Sequence, residues 1–142
     1  LQTNKVKLIA PFIHLIQSVD SIKLLHTINK YARINNRKIN CLIQIKISKE
    51  ANKSGFLLKD ALEFFQTKFI DNFPNVEIKG IMCIGTLTDD ISITKREFQM
   101  MKNLSHKIPI KTPVLSMGMS QDYHIACQEG SNMIRIGSII FQ

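Results

Sequence analysis

The 142-residue sequence predicts an α/β fold built on parallel strands. Three observations carry that expectation. Short, mostly apolar, β-branched runs alternate with segments of helical periodicity along the whole chain. Such alternation leads to parallel pairing through right-handed crossovers. The runs are short and predominantly apolar rather than strictly alternating, as strands covered on both faces are. No linker or low-complexity segment interrupts them, and the length suits one ordinary domain with a real core, residues 1–142.

Each element has a local reason. Gln2–Ala10 reads as the helix of a unit whose strand does not appear in the sequence. Ile13–Val19 (IHLIQSV) is a strand, and Asp20 or Ser21 then caps a helix with Ile22, Leu25, Ile28 and Ala32 at helical spacing. Cys41–Ile47 (CLIQIKI) is the next strand. Leu57–Ile70 is a helix that turns Leu58, Ala61, Leu62, Phe65 and Phe69 inward, ended by Asn72-Phe73-Pro74. Val76–Ile84 (VEIKGIMCI) is a strand. Thr94-Lys95-Arg96-Glu97 has the form of a capping box, and Phe98, Met101 and Leu104 continue that helix. Val114–Met117 is a strand, Ser120 caps a helix ending at Gly130, and Met133–Ile136 is the last strand. Five strands in this order fit either an open doubly wound sheet or part of a (β/α)8 barrel. A whole barrel needs about 250 residues.

Composition excludes several classes. No apolar run reaches the length of a membrane span, so no membrane partner is expected, and Leu1–Lys5 does not read as a signal peptide. The net charge of +8 is uneven: residues 1–59 hold eleven Lys/Arg against two acids, and residues 60–142 eight against nine. The lysines are scattered and no stacking aromatics interleave with them, so the basic half reads as a solvated surface rather than a nucleic-acid site. Cys41, Cys83 and Cys127 lie about forty residues apart, without metal spacing, and read as buried reduced thiols of a cytoplasmic protein. His14, His26, His106 and His124 show no ligand spacing either, and Asp89-Asp90 reads as a solvated loop.

Chemistry gathers at the end of the chain. The last two strands each run into small residues, Ser116-Met117-Gly118 and Gly137-Ser138. Unpaired N–H groups at strand ends and helix starts point at anions, and in barrels the loops after strands seven and eight frequently form a phosphate site. Arg135 lies inside the apolar run M-I-R-I-G, on the face opposite Ile134 and Ile136. A guanidinium turned into a barrel interior needs partners; one turned outward would snorkel past a helix.

Leu115–Phe141 (LSMGMSQDYHIACQEGSNMIRIGSIIF) resembles the C-terminal signature of the pyridoxal phosphate homeostasis proteins, whose fold is the barrel domain of alanine racemase. Leu1–Lys5 resembles that family's L-Q-[ST]-N-K helix start. His14–Asp20 resembles its strand ending in S-V-D, Leu42–Phe56 its L-I-Q…K-S-G stretch, Gly80–Asp90 its G-[LI]-M-x-I strand and following loop, and Arg96-Glu97-Phe98 its R-E-F. The resemblance covers essentially the whole chain. It implies a partial (β/α)8 TIM-type barrel, with the first three units and the fourth strand missing, that binds pyridoxal 5′-phosphate. By the same resemblance, Ser116 and the Met117 backbone hold the phosphate after strand seven, Gly137 and Ser138 hold it after strand eight, and Arg135 faces the pyridine nitrogen. A permanent cation there discourages protonation of the ring nitrogen, which makes the ring a poorer electron sink.

The sequence also departs from the family. The lysine that links to the cofactor lies, in the family, on the first strand, ahead of the point where this sequence starts. None of the lysines here matches it. Lys46 stands where the family usually has Asn, and Lys53 lies in the K-S-G loop; both read as structural or surface residues. Gln142 stands where the family usually has Gly. The expectation is therefore a cofactor-binding protein of pyridoxal phosphate homeostasis, not an enzyme, cytoplasmic, and monomeric at full length. The alternative is an amino-acid racemase of the same fold. It is disfavoured because that reaction uses two bases, and neither Tyr31 nor Tyr123 is plausibly placed. These residues alone are expected to leave two sheet edges and one apolar face bare, and to bind the aldehyde weakly and reversibly.

Overall fold

A computed structural model describes residues 1–48, 50, 53–67 and 69–141. Five strands, β1 (Leu15–Val19), β2 (Ile39–Ile45), β3 (Val76–Cys83), β4 (Val114–Met119) and β5 (Met133–Arg135), form one sheet in chain order, each neighbour parallel. The helices between them are α2 (Ile22–Ile34), α3 (Leu58–Gln66), α4 (Ile91–Ser105) and α5 (Tyr123–Gln128), preceded by the short α1 (Val6–Ile9).

The sheet is curled into a half-barrel. The Ser116 hydroxyl on β4 donates to Gln17 Oε1 on β1 at 2.7 Å. These strands are three spacings apart, about 14 Å in a flat sheet, so their side chains meet only if the sheet bends round. The convex face carries the core: Ile16 and Val19, then Ile39, Cys41, Ile43 and Ile45, then Ile81 and Cys83, then Leu115 and Met117, packed on Leu24, Leu25 and Ile28 of α2 and Phe98 and Met101 of α4. Phe64, Phe69 and Phe73 stack edge to face beneath α3, at 6.0 and 5.6 Å between centroids.

The concave face is mixed rather than bare and apolar. Leu42 and Met82 are buried there, but the register places Gln17, Asn40, Gln44 and Ser116 beside them. The two sheet edges, β1 and β5, stand as expected. Gly80 sets the β3–β4 approach. A Cβ at this position would lie 2.0 Å from the Val114 carbonyl oxygen. At Gly118, where φ is +97°, a Cβ would lie 2.6 Å from that of Ala126, so α5 packs directly onto β4.

Several expected caps are corrected. Ser21 does cap α2, accepting from the Leu24 N–H at 3.3 Å. α4 begins at Ile91, not Thr94: Asp90 is its cap, accepting from the Ser92 N–H at 2.8 Å and its hydroxyl at 2.6 Å. Thr94 is buried inside the helix, and Glu97 is used elsewhere. α5 begins at Tyr123 after Asp122, so Ser120 is not its cap. The expected helix to Ile70 ends at Gln66, and a 3-10 turn, Phe69–Asn72, follows; Lys68 lies outside the described residues. Cys41 and Cys83 are buried, but Cys127 is exposed on α5.

Candidate functional site

Arg135 ends β5 and its side chain turns inward. Nη1 donates to Ser116 Oγ at 2.6 Å, and Nη2 donates to the Cys83 carbonyl at 2.7 Å. Both acceptors are neutral. Burial lowers the guanidinium's pKa, with nearby Cys83 and Asp122 acting the other way. An arginine remains cationic under such a shift. The result is a fixed positive charge at the carboxyl ends of β3, β4 and β5, braced through Ser116 to Gln17 on β1.

The turns after β4 and β5 meet beside it. Ser120 Oγ accepts from the N–H of Gly137 at 3.3 Å and of Ile139 at 3.5 Å. Asp122 Oδ1 accepts from the Met119 N–H at 2.6 Å and fixes the first turn. Among the described residues, a Cβ at Gly137 would meet nothing within 4 Å. Ser138 opens the 3-10 turn Ser138–Ile140 and is exposed. Met117 is fully buried, and its N–H points to Ser131 Oγ at 3.4 Å. The Ser131 hydroxyl lies within 3.1 Å of the Leu115, Met117 and Met133 carbonyls and donates its one proton among them, tying β4 to β5.

Of the residues expected at the site, Ser116 and Arg135 are in direct contact. Gly137 and Ser138 lie on the turn that Ser120 joins to the end of β4. Gln142 lies outside the described residues. Gln17 and the Cys83 carbonyl stand outside the expected site, and Ser120, expected as a helix cap in the turn after the fourth strand, joins the two turns instead. Gln17 carries a readable signal, a polar side chain on the inward face of an apolar strand, as Arg135 is.

A cavity of about 260 Å³ opens at the carboxyl ends of β1 and β2, lined by Asp20, Gln44, Lys46, Ser48, Lys53 and Ile84 among others. Lys46 lies just past the end of β2 rather than on it. Lys53 Nζ donates to the Gly85 carbonyl at 2.8 Å and pairs with Glu50 at 2.7 Å, joining the loops after β2 and β3. A larger cleft, about 480 Å³, opens at the opposite end of the strands between Lys102, His106 and Lys111. It holds none of the groups just described. Lys102 packs on Gly130 at the end of α5, where a cation neutralises terminal carbonyls.

A curled parallel sheet with an inward arginine and two joined turns at its carboxyl edge is the arrangement of a barrel-type anion site. The chain belongs to the alanine racemase N-terminal domain family, whose sequence profile matches residues 2–142. Within it, the chain is 37% identical over 143 residues to the pyridoxal phosphate homeostasis protein of Helicobacter pylori (strain ATCC 700392 / 26695), covering 100% of this chain and 64% of that protein. It therefore spans just under two thirds of that relative's length. Among solved structures it is similar to PipY of Synechococcus elongatus PCC7942, solved with PLP bound, at a TM-score of 0.88 and 26% identity over 100% of this chain and 67% of that one. The alanine racemase of Clostridium difficile 630 shares the fold, with a TM-score of 0.73 at 13% identity over 99% of this chain and 37% of that one. Among the described residues no helix is long and apolar enough to cross a membrane.

Proposed function

We propose that this chain binds pyridoxal 5′-phosphate and serves its intracellular homeostasis in the cytoplasm, without catalysing a reaction on it, residues 1–142 acting as a single domain. The observation that carries this is the Arg135 guanidinium, braced by Ser116 and the Cys83 carbonyl at the mouth of the half-barrel. The residues present suit the group. Two N–H donors, on Gly137 and Ile139, already converge on one oxygen, that of Ser120. Their 3.3 and 3.5 Å bonds are long, and an anionic oxygen makes shorter, stronger ones. Among the described residues nothing blocks the approach at Gly137.

In this reading Gly137 and Ser138 hold the phosphate from one side and Ser120 borders it from the other, while the expected Met117 N–H is directed to Ser131 instead. Ser116 acts through Arg135, which it orients. Pyridoxal 5′-phosphate supplies an amine-reactive aldehyde and a ring that can serve as an electron sink. Arg135, permanently charged, keeps a proton off a ring nitrogen placed before it. That favours storage of the cofactor over carbanion chemistry. The names of the Helicobacter relative and the PLP-bound PipY structure support the same ligand.

The test is titration of the intact protein with pyridoxal 5′-phosphate, followed by absorbance and fluorescence, beside Arg135→Met and Ser138→Ala. Saturable binding that weakens in both variants is expected, with no racemisation of alanine. Binding unchanged in Arg135→Met, or turnover of D- or L-alanine, would overturn the assignment.

A further inference from the structure

We propose that Glu97 is a positioning residue for the Arg135 site, acting through Thr86 and the end of β3; this rests on the cofactor-binding reading above. The Glu97 side chain is almost fully buried, 8% exposed. Its Oε2 accepts from the Thr86 N–H at 2.8 Å and its Oε1 from the Thr86 hydroxyl at 2.6 Å. One carboxylate therefore takes both donors of one residue. No pattern in the helix explains this, since α4 is capped by Asp90 and Glu97 lies in its second turn.

Among the described residues, side chains rather than a strand partner hold the segment it grips. Pairing of β3 with β4 ends at Met82↔Ser116, and β3 itself ends at Cys83, which still pairs with Ile45 of β2. From Ile84 to Asp90 the chain is a loop without sheet hydrogen bonds. Side chains replace them in sequence: Arg135 on the Cys83 carbonyl, Lys53 on the Gly85 carbonyl, Glu97 on Thr86. Arg135 and Lys53 reach these carbonyls on long side chains from other elements. Glu97 is the buried, rigid member, anchored on a fifteen-residue helix next to the fully buried Phe98.

The geometry runs in one direction. Glu97 fixes Thr86, three residues past Cys83, and so, together with the Ile45↔Cys83 pairing, sets where the Cys83 carbonyl points. That carbonyl is one of the two acceptors that aim the guanidinium. With Glu97 gone, the chain beyond the Ile45↔Cys83 pair loses its anchor, the carbonyl's aim loosens and Arg135 leans on Ser116. Charged hydrogen bonds to buried groups carry enough energy for a tenfold effect on a site they shape.

The experiment compares Glu97→Leu, Glu97→Gln and Thr86→Val in the intact protein, with pyridoxal 5′-phosphate as the probe. Affinity, the absorption maximum of the bound cofactor and the melting temperature are measured together. Glu97→Leu is expected to weaken binding about tenfold and to move the absorption maximum. Glu97→Gln keeps an acceptor for the Thr86 N–H and can donate to its hydroxyl, so it should recover most of the affinity. Thr86→Val loses one donor only and should fall between; it keeps the test usable if Glu97→Leu does not fold. A lowered melting temperature with affinity and absorption maximum unmoved would make Glu97 a purely structural residue and overturn the proposal. Failure of the unaltered protein to bind the cofactor would instead remove the reading on which it rests.

Discussion

Replacing Gly80 by alanine tests the join that carries the site. The added Cβ would lie 2.0 Å from the Val114 carbonyl oxygen, 2.6 Å from its nitrogen and 2.7 Å from its carbonyl carbon. All three are backbone atoms, so no side chain can rotate away. Non-bonded contacts of this kind need at least about 3 Å, so β3 and β4 must part by about 1 Å. The two strands share only three registered pairs, Gly80↔Val114, Ile81↔Leu115 and Met82↔Ser116. Overpacking of this sort costs about 1–3 kcal/mol, and a lost ladder hydrogen bond adds about 1 kcal/mol. A total near 3 kcal/mol corresponds to a fall in melting temperature of about 10 °C for a domain of this size. Differential scanning calorimetry of the intact protein, wild type against Gly80→Ala, reads it directly. A shift below about 2 °C would show that the strands do not approach as described.

Arg135→Met should weaken pyridoxal 5′-phosphate binding by at least about tenfold while changing the melting temperature little, because the lost hydrogen bonds are offset by relief of a half-buried charge. Equilibrium titration and a thermal melt check both halves. Burial pushes the Cys41 thiol up to about 12 and raises Cys83 as well. Both thiols therefore stay protonated in the folded protein at alkaline pH while the unfolded chain ionises above about 9. Their contribution to stability is intact below that pH and is lost as pH rises toward 12, by up to about 1.4 kcal/mol per unit for each thiol; urea melts at pH 8, 9 and 10 follow it. Under native conditions a thiol reagent should label Cys127 alone, checked by mass spectrometry. Asp90→Ala should cost about 1 kcal/mol of stability through the lost cap of α4, and Thr94→Ala should not reproduce it by loss of a cap.

How much of this was legible beforehand depends on the range of the interactions. Strand and helix order follows from local periodicity, and all five strands stand where their apolar runs lie, within a few residues. Arg135 announced itself as a charge in an apolar strand, and its inward turn is what burial physics asks of a braced guanidinium. Ser120 and Thr94 depart from the expected caps for one shared reason. A serine before a helical stretch, or a threonine three residues ahead of a glutamate, has a local use as a cap that sequence can see. Here the hydroxyl of Ser120 serves backbone N–H groups 17 and 19 residues away, and the carboxylate of Glu97 serves Thr86, 11 residues back. Nothing local distinguishes the two uses. The concave face differs from expectation for a similar reason: Gln17 and Gln44 look like strand polarity until the curl brings Gln17 against Ser116.

That last contact joins positions 99 residues apart in the chain. Closing a loop of that size is entropically slow compared with winding helices or pairing adjacent strands. The hydroxyl that aims the guanidinium is itself aimed only once the opening strand has come home. Competence to take up ligand should thus be the last property recovered on refolding, trailing the return of helical circular dichroism, and any slowing of the first strand's arrival should delay it without changing the final affinity.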